Sequence, residues 1–282
     1  MSSGLSILYD TIRWEEKALF DAAKKKGIEA KMVDCKSLSI KLDKSKEDYD
    51  TAIQRCVSYY RSLHSTAALE GKGVNVINGL NTSILAGNKL FTHMLLVKNG
   101  VPTPFSAVAF SEESTLEYLD KNGYPMVLKP TVGSWGRMIA LLKDHDSAEG
   151  IIEMREKMYP IYQVYYLEEF VNRPPRDIRA IMVGDTVVAA IYRYSGDGQW
   201  KTNMALGGKA EPLKVTKEME DICIKAKDAV QGQIVGIDLM ESKEKGLVVH
   251  EVNNTTEYKN TVRVTGVDIP ALMIDYAKQS RK

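Results

Sequence analysis

The chain has 282 residues, enough for one to three lobes rather than one small core. Its 38 Lys and Arg against 37 Asp and Glu leave a formal net charge of +1, so no overall field argues for nucleic acid or a membrane as partner. Apolar content of 44% and charged content of 27% are ordinary for a globular protein in water.

The first part alternates strand and helix. Residues 5–9 (LSILY) form an apolar strand, and residues 15–26 a helix with Ala18, Leu19, Ala22 and Ala23 on one face, ended by Gly27. IEAKMVDC and TAIQRCVS follow as strands, then a helix over 59–70 and the strand VNVIN. That order is the pattern of a small parallel α/β unit, expected to end near residue 88. A second segment opens with a helix over 88–100, stopped by Gly100 and Pro102. It continues through TPFSAVAF, a helix after Ser111, YPMVLKP, a glycine-containing loop, RMIALL, a helix after Asp146, and YYLEEFV. After the polar link NRPPRD, two hairpins appear: IRAIMVGDTVVAAIYRY around a Gly-Asp turn, and IVGIDLMESKEKGLVVHEVN around a charged turn near Glu244. A helix over 216–230 separates them. Asp268 caps a last helix with Pro270 in its first turn. The expected division is 1–88, 89–170 and 171–282, an α/β unit followed by two α+β lobes, with ligands between the lobes.

Cys35, Cys56 and Cys223 make no CxxC and no Cys/His ligand set. They read as buried thiols in a reducing cytoplasm. The chain starts without a signal-peptide pattern, and no apolar run reaches the length of about 18 residues that a membrane span needs.

Chemistry concentrates at strand ends. Folding the second hairpin about its turn sets Asp238 opposite Glu251, with Asn253 on the same face two residues on. Two carboxylates and an amide oxygen there suit a hard divalent cation, Mg²⁺ above all. Asp238 lies inside an apolar run, where a carboxylate needs a partner. His250 points to the opposite face by the same alternation and reads as a packing residue. Lys129 ends a strand before a loop with Gly133 and Gly136, followed by Arg137. Those are the parts of a phosphate cradle, although the chain has no GxxxxGK[ST]. Lys89, at the start of its helix, is a second phosphate cation. Glu168 and Glu169 end a strand where a nucleotide base and ribose hydroxyls find hydrogen-bond partners. A dehydrogenase is excluded because no GxGxxG follows the first strand.

In order, Lys89, Lys129, GSWGR, LEEFV, DIR (Asp177, Arg179), IYR (Arg193), Thr202-Asn203, Gly207-Gly208, GIDL (Asp238) and EVN (Glu251, Asn253) resemble the ATP-grasp superfamily across nearly the whole chain. The chain is similar to carboxylate–amine ligases related to RimK, and within them to the LysX family of α-aminoadipate–LysW ligases. That likeness rests on ILYDTIRWEEK, RCVS, KPTVGSWGR, EYKNT and TGVDIP. The resemblance implies an ATP-grasp fold, in which an N-terminal α/β domain precedes two lobes that sandwich ATP. Lys89, Lys129, Gly133, Ser134, Trp135, Gly136, Arg137, Glu168, Glu169, Val171, Arg179 and Asn203 would bind ATP. Asp238, Glu251 and Asn253 would hold two Mg²⁺ ions. Lys129, Arg193 and Asn203 would be catalytic. Arg193, Glu257, Lys259, Asn260 and Thr261 would line the amino-acid pocket.

The implied reaction joins the amine of 2-aminoadipate to the γ-carboxylate of the C-terminal Glu of LysW, an acidic carrier, through an acyl phosphate. Asn260-Thr261 is the pair found in LysX, where the glutamate-using ArgX carries Gly-Phe. Glutamate–LysW ligation, dual specificity, a RimK-type glutamyl ligase and a non-catalytic nucleotide-binding regulator are the alternatives. Lys24, Lys25, Lys26, Arg55, Arg61, Arg173 and Arg176 are candidate cations for the carrier. A cytoplasmic homo-oligomer, dimer or tetramer, is expected, with no nucleic acid or membrane as partner.

Overall fold

The structure is a computed structural model that describes residues 4–133, 136–196, 200, 202 and 209–280. The first unit contains β1 (Leu5–Tyr9), α1 (Trp14–Lys25), β2 (Ala30–Asp34), β3 (Thr51–Gln54), α2 (Tyr59–Gly71), β4 (Asn75–Ile77) and α3 (Leu80–Ala86). Its four strands pair in parallel in the order β2-β1-β3-β4. The apolar runs LSILY and TAIQ are buried along nearly their whole length, as strands covered on both faces must be.

The second sheet is antiparallel, in the order β5-β8-β6-β7, from β5 (Ser106–Ala109), β6 (Met126–Lys129), β7 (Ala140–Leu142) and β8 (Tyr165–Glu169). It packs Leu128, Leu142 and Leu167 against Leu119 of α5 (Glu112–Asn122) and Ile152 of α6 (His145–Glu156). The helix expected after Asp146 starts two residues earlier, at His145, because Asp144 takes the cap position and accepts from the Ser147 N–H.

The third sheet is antiparallel, in the order β11-β10-β9-β12-β13. It is built from β9 (Arg176–Val183), β10 (Thr186–Tyr194), β11 (Ala210–Leu213), β12 (Ile234–Ser242) and β13 (Gly246–Asn253). Ile178, Ala180, Ile237, Leu239 and Val249 on one face meet α7 (Lys217–Ala229) and also Leu96 of α4 (Lys89–Lys98). The helix read as opening the second segment thus packs on the third sheet. The reason is its composition. Leu96 and Val101 are buried in that core, and the Val249 N–H donates to Pro102 at 2.8 Å, fixing the chain beside β13.

The other face of the third sheet changes character along its strands. At one end Ile181, Val183, Ala189 and Ile234 share a core with β1, α1, β3 and α9 (Ile269–Gln279). At the other end the same face carries Asp177, Arg179, Arg193, Asp238 and Glu251, which line a cavity. Asp268 caps α9 with Pro270 in the first turn, as expected. Sequence reading passed over β11, α3 and α8 (Lys259–Thr265), each of seven residues or fewer. Among the described residues, no helix is long and apolar enough to cross a membrane.

Candidate active site

A cavity of about 990 Å³ is lined by all three units. Its phosphate-like end is built from strand termini. Lys129, the last residue of β6, is buried and pairs with Glu168 of the adjacent strand β8. Lys89, the first residue of α4, donates to the Gly133 carbonyl at 2.7 Å and lies 3.2 Å from Glu251. Asn88 frees this turn from the chain before it by capping Leu90 and Phe91. Gly136 and Arg137 line the cavity, Arg137 exposed. Ser134, Trp135, Asn203, Gly207 and Gly208 lie outside the described residues.

The expected cation ligands converge. Asp238 pairs with Glu251 across β12 and β13, two residues before Asn253. Asp238 is buried, and its partner is now visible. Arg179 grips both carboxylate oxygens, one contact at 2.8 Å, and Arg193 reaches Oδ2 at 3.1 Å. Burial alone pushes this carboxyl up, but the two guanidinium groups outweigh it and hold the pKa well below the usual carboxylate range. The Asn253 amide nitrogen turns to Asp238 at 3.4 Å. Among the described residues, no group of three or more His, Cys, Asp and Glu gathers as a metal cage. The donor set is two carboxylates and an amide beside open space, which fits a hard cation that keeps water and phosphate oxygens as its other ligands.

Arg193 is clamped by Asp177, with contacts of 2.7 and 2.9 Å, and Asp177 also accepts from Thr202. Register explains the cluster: Arg193 lies opposite Asp177, and Arg179 lies between Ile191 and Asp238. Arg193 and Asp238 sit on strands separated by β9, so no local motif announces their contact.

Two expectations are corrected at this face. His250 lines the cavity instead of facing away. A bulge between the pairs Asp238–Glu251 and Leu239–Val249 adds one residue on β13 and breaks strict alternation. Glu168 is not at an open strand end: it is buried under Lys129, one of its oxygens without a partner, and its pKa is raised because burial exceeds the pull of Lys129. The Glu169 carboxylate accepts from Phe105 N–H at 2.9 Å and from Lys245, while Val171 is buried on the cavity wall.

The far end is made by the first unit and α8. Asn260 and Thr261 line the cavity from the first turn of α8, Thr261 fully buried, with Lys259 and Glu257 more exposed. The free amides at this helix start are capped from another unit: Glu15 accepts from Tyr258 N–H at 3.3 Å and Lys259 N–H at 3.1 Å. That leaves the Asn260 and Thr261 side chains out of the capping role. Arg13 reaches Glu257 at 3.4 Å and Glu16 at 2.7 Å.

Arg13, Asp177 and His250 are lining residues that sequence reasoning did not assign. Asp177 was legible as an acid two residues before Arg179 on one strand face; the other two needed the fold. Arg55 is not a surface cation: it is buried against Glu16 at 3.2 Å. Arg176 stays half-exposed but is engaged, pairing with Glu241 and stacking over Tyr192 at 3.8 Å.

Two family descriptions match in tandem. A LysX preATP-grasp domain covers residues 5–85 and a RimK-like ATP-grasp domain covers residues 86–277. The chain is 40% identical over 270 residues to the α-aminoadipate–LysW ligase LysX of Saccharolobus solfataricus, covering 95% of this chain and 98% of that one. The chain belongs to the LysX family of RimK-like ATP-grasp proteins. Within this family the glutamate–LysW ligase ArgX of Sulfolobus acidocaldarius stands further off, at 32% identity over 98% of both chains. The same fold, at 16% identity and a TM-score of 0.77, is seen in the ATP-grasp ligase PsnB complexed with a phosphomimetic precursor variant, Mg and ADP, covering all of this chain and 99% of that one.

Proposed function

We propose that the protein is an ATP-dependent carboxylate–amine ligase that joins the α-amino group of 2-aminoadipate to the γ-carboxylate of the C-terminal glutamate of LysW. The observation that carries this reading is one continuous cavity. Lys89, Lys129, Arg193, Asp238, Glu251 and Asn253 line one end, and Asn260 and Thr261 the other. The higher identity to LysX than to ArgX supports it.

In the proposed reaction the carrier carboxylate attacks the γ-phosphorus of ATP, giving an acyl phosphate and ADP. The aminoadipate amine then attacks the acyl carbon and phosphate leaves. Lys89, Lys129 and Arg193 would bind phosphate oxygens as their charge grows. Asp177 keeps the Arg193 fork fixed, so little reorganisation remains for the reaction. Asp238, Glu251 and Asn253 would hold Mg²⁺, two ions in our reading, whose chemistry is to neutralise phosphate charge. Gly133, Gly136 and Arg137, with Ser134 and Trp135, would close on the phosphates. Glu169, Val171 and Arg179 would border the nucleotide. Asn203 would orient the reacting groups. Asn260 and Thr261 offer hydrogen bonds to a distal carboxylate, where a Phe would fill volume. Glu257 and Lys259 would complete that pocket. A homodimer or tetramer acting in the cytoplasm, without nucleic acid or membrane, completes the proposal.

ADP release with ATP, Mg²⁺ and purified LysW, comparing aminoadipate with glutamate at equal concentration, tests it. A strong preference for aminoadipate is expected. Equal use of both makes the protein a dual ligase, and no acceptor-dependent ADP with either overturns the substrate assignment.

A further inference from the structure

We propose that Arg155 is a positioning residue for the nucleotide phosphates, acting through the Met138 carbonyl on the turn that leads into β7. This rests on the reading of the cavity as a nucleotide site. Arg155 lies in the last turn of α6, behind the cavity wall rather than on it. It is 3% exposed. Its Nη2 donates to the Met138 carbonyl, while Nη1 is buried without a hydrogen-bond partner. Among the described residues no carboxylate pairs with it, and burial lowers its pKa against the pull of Tyr165 and Tyr162. A lone buried guanidinium is destabilising where an apolar side chain of similar length would pack. Fold stability therefore does not account for an arginine here, and the contact to Met138 is what remains.

Met138 is an unusual partner. Its φ of 58° is one of two positive values among the described non-glycine residues. A side chain in that region crowds its own carbonyl, so the conformation persists only where neighbours hold it. A charged donor on that carbonyl is such a neighbour. The turn also has a position to set. Gly136, Arg137 and Ile139, on either side of Met138, line the cavity. β7 begins at Ala140, opposite Leu128 of β6, and the same register continued by one residue puts Ile139 beside Lys129. Relaxation of Met138 to a negative φ would redirect the chain before it and carry Gly136 and Arg137 off the wall they share with Lys129.

The test is a double-mutant cycle read by calorimetric binding of ATP and of inorganic tripolyphosphate in Mg²⁺ buffer, without carrier or amino acid. The proteins are wild type, Arg155→Met (similar in length, no charge), Met138→Gly, and the two together. Ile152→Val, a mild core change on the same helix, controls for general loosening. Arg155→Met is expected to weaken ATP and tripolyphosphate alike, about tenfold. Glycine takes a positive φ without crowding, so Met138→Gly is expected to change little in wild type and to recover part of the loss in Arg155→Met. Ile152→Val is expected to bind both probes like wild type. If Arg155→Met is too unstable to titrate, Arg155→Lys, which keeps the charge but not the planar fork, takes its place in the cycle. Unchanged affinity on loss of the arginine overturns the proposal. So does a loss for ATP that tripolyphosphate does not share, a loss that Ile152→Val reproduces, or an effect of Met138→Gly that is the same in both backgrounds, because Arg155 then does not act through Met138. Wild type that binds neither probe overturns the nucleotide reading of the cavity, and this proposal with it.

Discussion

Glu16 shows how one buried charge organises the first unit. It lies on α1, fully buried, and holds Arg13 at 2.7 Å and Arg55 at 3.2 Å. Burial raises its pKa, but Arg13 and Arg55 outweigh that, and the carboxyl ends below its ordinary value. A depressed folded-state pKa gives stability that is present above the unfolded value and lost as pH falls through the folded one. Glu16→Gln strands Arg55, so a loss of about 3–5 kcal/mol is expected at neutral pH. The gap to wild type in urea midpoint should narrow as pH drops from about 7 to 3, below the ordinary Glu value of about 4.3. A gap constant with pH would show that shape, not charge, is what Gln lacks. Asp238 is a second case. Asp238→Asn is expected to cut ligation at least about a hundredfold, as loss of preorganised charge does. It should also cost about 1–3 kcal/mol, because Arg179 and Arg193 lose the charge they hold. An Asn variant with normal Mg²⁺-dependent turnover would remove Asp238 from the proposed cation site.

At the scale of elements, β12 depends on a glycine where two layers close. A Cβ built on Gly236 meets the Thr256 hydroxyl at 2.1 Å and its Cβ at 2.7 Å. Thr256 is buried and receives Arg179 at 3.3 Å, so it has nowhere to retreat. Gly236→Ala is expected to cost about 1–3 kcal/mol by overpacking, read from the urea midpoint. It should also reduce ligation, because it shifts Asp238 two residues on. Stability without loss would mean that the loop 254–257 yields. Helix α4 carries the same lesson about context. It presents Leu96 to the third sheet while its first residue, Lys89, faces the cavity. Leu96→Ala is therefore expected to cost about 2–5 kcal/mol and to raise the KM for ATP together. Normal KM in a destabilised variant would uncouple the helix from the site.

Across the whole molecule, one amide ties the first unit to the third. Asn78, buried after β4, donates to the carbonyls of Ile234 at 2.6 Å and Asn254 at 2.7 Å, and accepts from Gln233 and Ile234 N–H at 2.9 Å. It thereby fixes the start of β12 and the segment that runs from Asn253 to Asn260. Asn78→Ala leaves those groups unpaired. A loss of about 2–4 kcal/mol is expected from their desolvation, with impaired aminoadipate use at the far end of the cavity. An unchanged urea midpoint would show that water replaces the amide. A salt-sensitive affinity for the carrier is expected as well. The candidate cations for it are now narrower: Arg55 is internal, Arg176 is committed to Glu241, Lys26 pairs with Asp275 at 2.8 Å and Arg61 with Asp10 at 2.6 Å.

The residue order by itself determined every strand but β11, the long helices, the pairing of Asp238 with Glu251, and the family. Those are local: apolar periodicity, Gly and Pro stops, caps and short hairpins act over a few residues. Only the tertiary structure decided how Asp238 is held, because Arg179 and Arg193 come from other strands of the sheet. It alone buried Glu168 and Arg55, since burial depends on what packs above a strand end, not on the strand. It alone turned His250 into the cavity, because a bulge adds one residue to a period of two and leaves no mark in composition.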